Sequence, residues 1–234
     1  MRNKLYLSVF LWLGPLLFSG QMRAASTSNC IDSKQPETYD AKPGDLSSPT
    51  RLDVQRPSSG LHSLQVDVCY GVLRLVPSPA GSDLRLQVTS RTANRPLGSF
   101  LKTFSMENGQ AAVNLQIPKN ARAIITLFVP LEKNNAENYI SLAEGIVRVE
   151  KDAMSGDRRI NVGAGSAYIK LDDVHGYYKL QTNIAVGRLS DSRPGGHGGR
   201  FIVSRDSLGD GRGLLKINIG VGNIYLKQDN RTPE

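Results

Sequence analysis

The chain has few aromatic residues, two cysteines, three histidines and no long apolar run beyond its first residues. Each shortage excludes something. His62, His175 and His197 stand in separate segments without metal-ligand spacing, and surface positions account for them. Lys and Arg exceed Asp and Glu to give a net charge of +8, but no basic run interleaved with aromatics is present, which argues against nucleic acid as a partner. No amphipathic pattern of period 3.6 persists for three turns; only 131–140 holds a candidate helical turn. Helical and α/β architectures are therefore not expected.

Catalytic signatures are also lacking. Gly163-Ala164-Gly165-Ser166-Ala167 has no final glycine for a nucleophile elbow, and no glycine loop leads into Lys-Ser/Thr for phosphate. The stretch from Asp206 to Asp210, with Gly209 and Gly211, lacks the spacing of a calcium loop. Asp172-Asp173 has no partner fixed at glycosidase distance. Asn230-Arg231-Thr232 matches a glycosylation sequon followed by proline. No catalytic residue, cofactor or metal is expected, and the chain does not read as an enzyme.

What is present begins with a tripartite secretory signal. Arg2 and Lys4 precede an apolar stretch from Leu5 to Phe18, and the small residues Ser19, Gly20, Ala24 and Ala25 follow. That stretch is shorter than the ~20 residues of a spanning helix. Cleavage is expected near residue 25, leaving no transmembrane span, a charge of about +5, and a periplasmic, cell-surface or secreted location. Cys30 lies too far along for a lipobox. Cys30 and Cys69 are expected to form a disulfide in an oxidising compartment. Residues 26–60 carry prolines at 36, 43, 49 and 57 and read as a flexible leader.

From residue 61 to 228 the texture is β. Leu64, Val66 and Val68 alternate with polar residues, as do Leu84, Leu86 and Val88, and Val113, Leu115 and Ile117. The run 123–129 is apolar on both faces and reads as a buried strand ended by Pro130, as Pro118 ends the strand before it. Residues 229–234 are a tail.

A repeat organises this region. INVGAGSAYIK (160–170) and INIGVGNIYLK (217–227) align without a gap, with Asn161/Asn218, Gly163/Gly220, Gly165/Gly222, Tyr168/Tyr225 and Lys170/Lys227 identical. A further copy spans 183–189. Weaker ones place Gly145 between Ile140, Leu142 and Val147, Val149, and Gly71 between Val66, Val68 and Leu73, Leu75. The shared unit is strand, glycine, strand. Apolar spacing breaks by one across the glycine, so a bulge or corner is expected there. Spacings of 20–22 residues fit the rung of a β-solenoid; a β-sandwich of hairpins is the alternative. Asn161, Asn183 and Asn218 recur at one place, as a turn residue or as a stacked ladder. Residues 191–213, rich in glycine, interrupt the spacing and read as a solvated loop. It is the candidate interaction segment, with Arg193, His197, Arg200, Arg205 and Arg212.

The copies at 140–150, 160–171, 183–191 and 217–227 resemble the bacterial "putative adhesin" β-repeat domains, including head-GIN-type domains. Val113-Asn114-Leu115-Gln116-Ile117-Pro118 is similar to the proline-ended strand that often precedes those repeats, and the resemblance covers roughly 61–227. It implies an exported β-solenoid-like fold and brings no catalytic residues. Where that family commonly has Gly-Asp-Ile, this chain has Gly165-Ser166-Ala167, Gly187-Arg188-Leu189 and Gly222-Asn223-Ile224. The expected role is a non-enzymatic, adhesin-like interaction module facing a cell-envelope protein or an anionic polysaccharide. Two rivals remain. One is a glycan-binding module with an aromatic face of Tyr168 and Tyr225, joined by Tyr177 and Tyr178. The other is a polysaccharide-active enzyme on a β-helix.

Overall fold

The structure is a computed structural model that describes residue 30 and residues 44–130, 137–151, 153–171 and 176–228. The signal peptide, residues 31–43 of the leader, positions 131–136 of the candidate helical turn, Asp172-Asp173, His175, the sequon and the tail lie outside the described residues.

Alternation puts Leu64, Val66 and Val68 on the buried face of β3 (Ser63–Ser78), and Leu73 and Leu75 return to that face after Gly71. Strict period two would send residues 72 and 74 inward. The phase slips by one at Gly71, whose φ of +137° is open to glycine and costly for other residues. The same slip recurs in β8 (Glu137–Val149), β9 (Asp157–Leu171), β10 (Lys179–Asp191) and β12 (Leu214–Gln228), at Gly145, Gly165, Gly187 and Gly222. These five strands run parallel and in register, in the order β3-β8-β9-β12-β10, so the five glycines form one column. A Cβ on Gly222 would lie 1.6 Å from the carbonyl oxygen of Gly165. The column is thus fixed by close backbone approach as well as by φ.

The two best-matched sequence copies are direct neighbours: Ile160 lies opposite Ile217, Asn161 opposite Asn218 and Tyr168 opposite Tyr225. Consecutive windings would stack in chain order. Here β12 enters between β9 and β10, which follow one another in sequence. Beyond β10 lies β11 (Gly199–Leu208), antiparallel to it and at the sheet edge.

On its other flank β3 is covered by two short strands instead of one long one. Its first half pairs with β6 (Gln110–Leu115) and its second with β7 (Ile124–Pro130), which are separated by a 3-10 turn at Lys119–Ala121. Antiparallel β4 (Leu84–Thr89), β2 (Arg51–Arg56) and β1 (Leu46–Ser47) continue the sheet, and β5 (Leu101–Glu107) pairs with β6. The result is all-β, a mixed sheet that does not close. Among the described residues no helix is long and apolar enough to cross a membrane.

Three expectations are corrected. The leader is not flexible throughout, because β1 and β2 belong to the sheet and Leu52 and Val54 are buried in the core. Period-two alternation in Leu52 and Val54 outweighs the flanking prolines. Arg56 anchors the segment: its guanidinium is buried, lies 3.1 Å from Asp45 and sits over the Phe104 ring. The interrupting segment 191–213 is not simply a loop, since β11 occupies ten of its residues. Part of the candidate helical turn, 137–140, opens β8. The expected disulfide is present, joining Cys30 to Cys69 with Cα atoms 5.4 Å apart.

Candidate functional site

In-register parallel strands align equivalent side chains into rows across the sheet, about 4.8 Å from strand to strand. At that spacing amides can hydrogen-bond and rings can stack along a row. One outward row runs Asp67, Ser141, Asn161, Asn218, Asn183, Ser204. Asn218 Nδ2 donates to Asn161 Oδ1 at 2.7 Å and Asn183 Nδ2 to Asn218 Oδ1 at 2.9 Å. Ser204 Oγ donates to Asn183 Oδ1 at 3.0 Å. The asparagines therefore form a ladder, and the turn role is excluded because all three lie within strands.

A second row, past the glycine corner, runs Arg74, Arg148, Tyr168, Tyr225, Ser190. The Tyr168 and Tyr225 rings stack with centroids 4.5 Å apart and planes 8° from parallel. The Arg148 guanidinium sits 5.0 Å over the centroid of Tyr168. The pair is therefore not a coplanar platform. Each ring covers one face of the other, and only the far face of Tyr225, toward β10, has no ring or guanidinium on it among the described residues. Tyr177 is buried in the core and Tyr178 is 62% exposed, so neither joins that row.

The row between the corner and the tyrosines runs Val72, Ile146, Ser166, Asn223, Arg188, Arg200. Arg188 and Arg200 face each other across the β10–β11 pair and both are exposed. An open groove of about 450 Å³ lies against Arg188, Ser190, Gly198 and Arg200.

The candidate interaction residues separate. Arg193 is inward: it forms a bidentate pair with Asp191 at 2.7 and 2.8 Å, donates to Tyr177 Oη at 2.8 Å and is 7% exposed. It holds the β10–β11 turn and cannot meet a partner. His197 is exposed in that turn, Arg200 and Arg205 are exposed on β11, and Arg212 is exposed at the opposite end of β11. His197 and Arg200 lie three residues apart at one end of β11, while Arg205 and Arg212 lie farther along the chain. Reading the sequence missed Arg188 and Ser190. Their signal was the departure of the copy at 183–189 from its relatives, with Arg188 where Ser166 and Asn223 stand. It also missed the exposed apolar residues Phe201 (78%) and Ile202 (82%) on β11, and Val186 and Val221 at the adjoining corner.

Several acidic groups are paired with bases. Lys179 Nζ lies 2.8 Å from Asp206 and holds that carboxyl below its usual range, with Gln181 adding a hydrogen bond. Glu144 pairs with Lys119 and Glu150 with Lys170. Arg85, then Arg51 and Gln87, bind Asp53 and hold its carboxyl well below the carboxylate range against the opposing effect of burial. Among the described residues no group of three metal-ligating side chains comes together.

No family model and no curated protein matches this chain. Among solved structures, a protein from Clostridium sporogenes described as a "putative cell adhesion protein" is similar at 15% identity and a TM-score of 0.47. The match covers 78% of this chain and 100% of that one.

Proposed function

We propose that this chain is an exported, non-enzymatic interaction module, adhesin-like in role, built on a β-solenoid-like stack of five parallel strands. The observation that carries the reading is the uncovered end of the stack. There Phe201 and Ile202 on the edge strand, with Val186 and Val221 beside them, expose apolar surface that a protein without a partner normally buries. Export is supported by the tripartite signal at residues 1–25 and by the Cys30–Cys69 disulfide. A polysaccharide-active enzyme would need carboxylates gathered in a groove, whereas Glu144, Glu150 and Asp206 are each paired with a lysine.

Cell fractionation of a tagged chain, followed by affinity capture, tests this. The expected result is recovery in the envelope or medium, with a partner that a Phe201→Asp/Ile202→Asp variant no longer retains. Exclusive recovery in the cytoplasm would overturn the reading.

A further inference from the structure

Arg188 and Arg200 stand directly opposite each other in an antiparallel pair. Like charges at that position destabilise a sheet, and among the described residues neither has a carboxylate partner. The neighbouring row supplies a complementary feature. Its stack of Arg148, Tyr168 and Tyr225 ends at Ser190, whose short side chain leaves the outer face of the Tyr225 ring open. Gly198, just before β11, lines the same groove as Ser190 and has no side chain at all. The groove is lined by Arg188, Ser190, Gly198 and Arg200, with Asp191 already paired to Arg193, and the open ring face of Tyr225 adjoins it across Ser190. Its volume of about 450 Å³ lies within the range of small-ligand sites.

We infer that this groove is a subsite for an anionic sugar unit, whose acidic group the guanidinium groups of Arg188 and Arg200 hold while its ring lies against the open face of Tyr225. The chemistry separates along the molecule's two features. A carboxylate or sulfate accepts charge-assisted hydrogen bonds from guanidinium forks, and the C–H face of a pyranose suits an aromatic ring. Ser190 Oγ is placed for a ring hydroxyl. Lys227, exposed two residues beyond Tyr225 on the same outward face, adds positive charge for the next unit of a polymer. An open aromatic face beside the paired arginines suits the C–H face of a sugar ring, which favours a polysaccharide over anionic lipid. The inference rests on the interaction-module reading and names its partner class.

The test is calorimetric titration of the mature chain with oligogalacturonate, a sulfated oligosaccharide and a neutral cello-oligosaccharide, with phosphatidylglycerol vesicles in parallel. The expected result is binding of an acidic oligomer and none of the neutral one. Arg188→Gln and Arg200→Gln should each weaken binding about tenfold or more, the scale of a lost charge-assisted contact. Ser190→Tyr extends the ring stack into the groove and should abolish binding while the charges stay in place. No binding of either acidic oligomer by the parent chain would overturn the subsite. So would unchanged binding by Ser190→Tyr, which would leave only a diffuse charge effect, or vesicle binding indifferent to that variant. Binding by a chain found only in the cytoplasm would sink export while the subsite stands; an exported chain that ignores acidic oligomers would do the reverse.

Discussion

The strands from β1 to β7 and those from β8 to β12 solve the same problem by different means. The first region fills its interior with large side chains: Leu52, Leu64, Leu73, Leu75, Leu84, Leu86, Leu101 and Ile125 are all essentially inaccessible. Its polar fastenings are ion pairs, Asp45 with Arg56 and Asp53 with Arg85. The second region is fastened by likeness. Equivalent residues stack on one another as an amide ladder, a tyrosine pair and a glycine column. Side-chain packing tolerates repair by neighbours, whereas an in-register column offers a substituted residue no other place to go. The two regions should therefore fail differently when changed.

The sharpest contrast lies between two glycines with positive φ. Gly81 (φ +76°) sits in the turn after β3 with nothing within 4 Å of an added Cβ, while at Gly222 (φ +141°) that atom would lie 1.6 Å from a backbone oxygen. Gly81→Ala should cost only the left-handed backbone penalty, about 1–2 kcal/mol. Gly222→Ala adds a clash that only displacement of β9 or β12 relieves, and should exceed about 4 kcal/mol. Urea unfolding midpoints of the two variants check this. Equal losses would mean that the column is no tighter than an ordinary turn.

That contrast also explains what was legible in advance. The match between 160–170 and 217–227 was readable because the two copies pair along their whole length, so each presents its equivalent residue to the other. The glycine corners and the Cys30–Cys69 bond followed from spacing and composition. Strand order did not. β9, β10 and β12 present nearly the same unit to a neighbour, so nothing local tells the chain to place β12 between the other two. β11 escaped notice because Phe201-Ile202-Val203 is a short apolar run set among glycines and arginines, and as an edge strand it buries only Val203. Arg193, followed by Pro194-Gly195-Gly196, has the surroundings of a surface turn; only the fold brings Tyr177 and Asp191 around it.

The middle of the amide ladder gives a smaller effect. Asn218 both donates to Asn161 and accepts from Asn183, so Asn218→Ala removes two hydrogen bonds and leaves half-buried partners. A loss of about 2 kcal/mol is expected, at about 1 kcal/mol for each bond. At the same row in the first region, Asp67 only accepts from Gln65 on its own strand, in an exposed pair. Asp67→Ala should stay within about 0.5 kcal/mol, as for surface changes generally. Thermal unfolding of both variants measures the difference. A ladder that contributed nothing would give two equally small losses.

The smallest expected effect separates the regions by pH. Asp53 accepts from Arg85, Arg51 and Gln87, and these partners hold its carboxyl well below the usual range. A carboxyl depressed in the folded state stabilises it above the unfolded value near 3.9, and the contribution fades as pH falls toward the folded value. Arg85 and Arg51 are about half exposed, 43% and 56%, so solvent screens the pairs. The contribution should be on the order of 1 kcal/mol. Asp53→Asn should thus be less stable than the parent by a constant amount above about pH 5, and the gap should narrow steadily below about pH 4. The Asn218→Ala gap has no titrating group in it and should not close in that window. If both gaps narrowed together, acid would be loosening the sheet as a whole, and the division between an ion-paired region and an amide-laddered one would not survive.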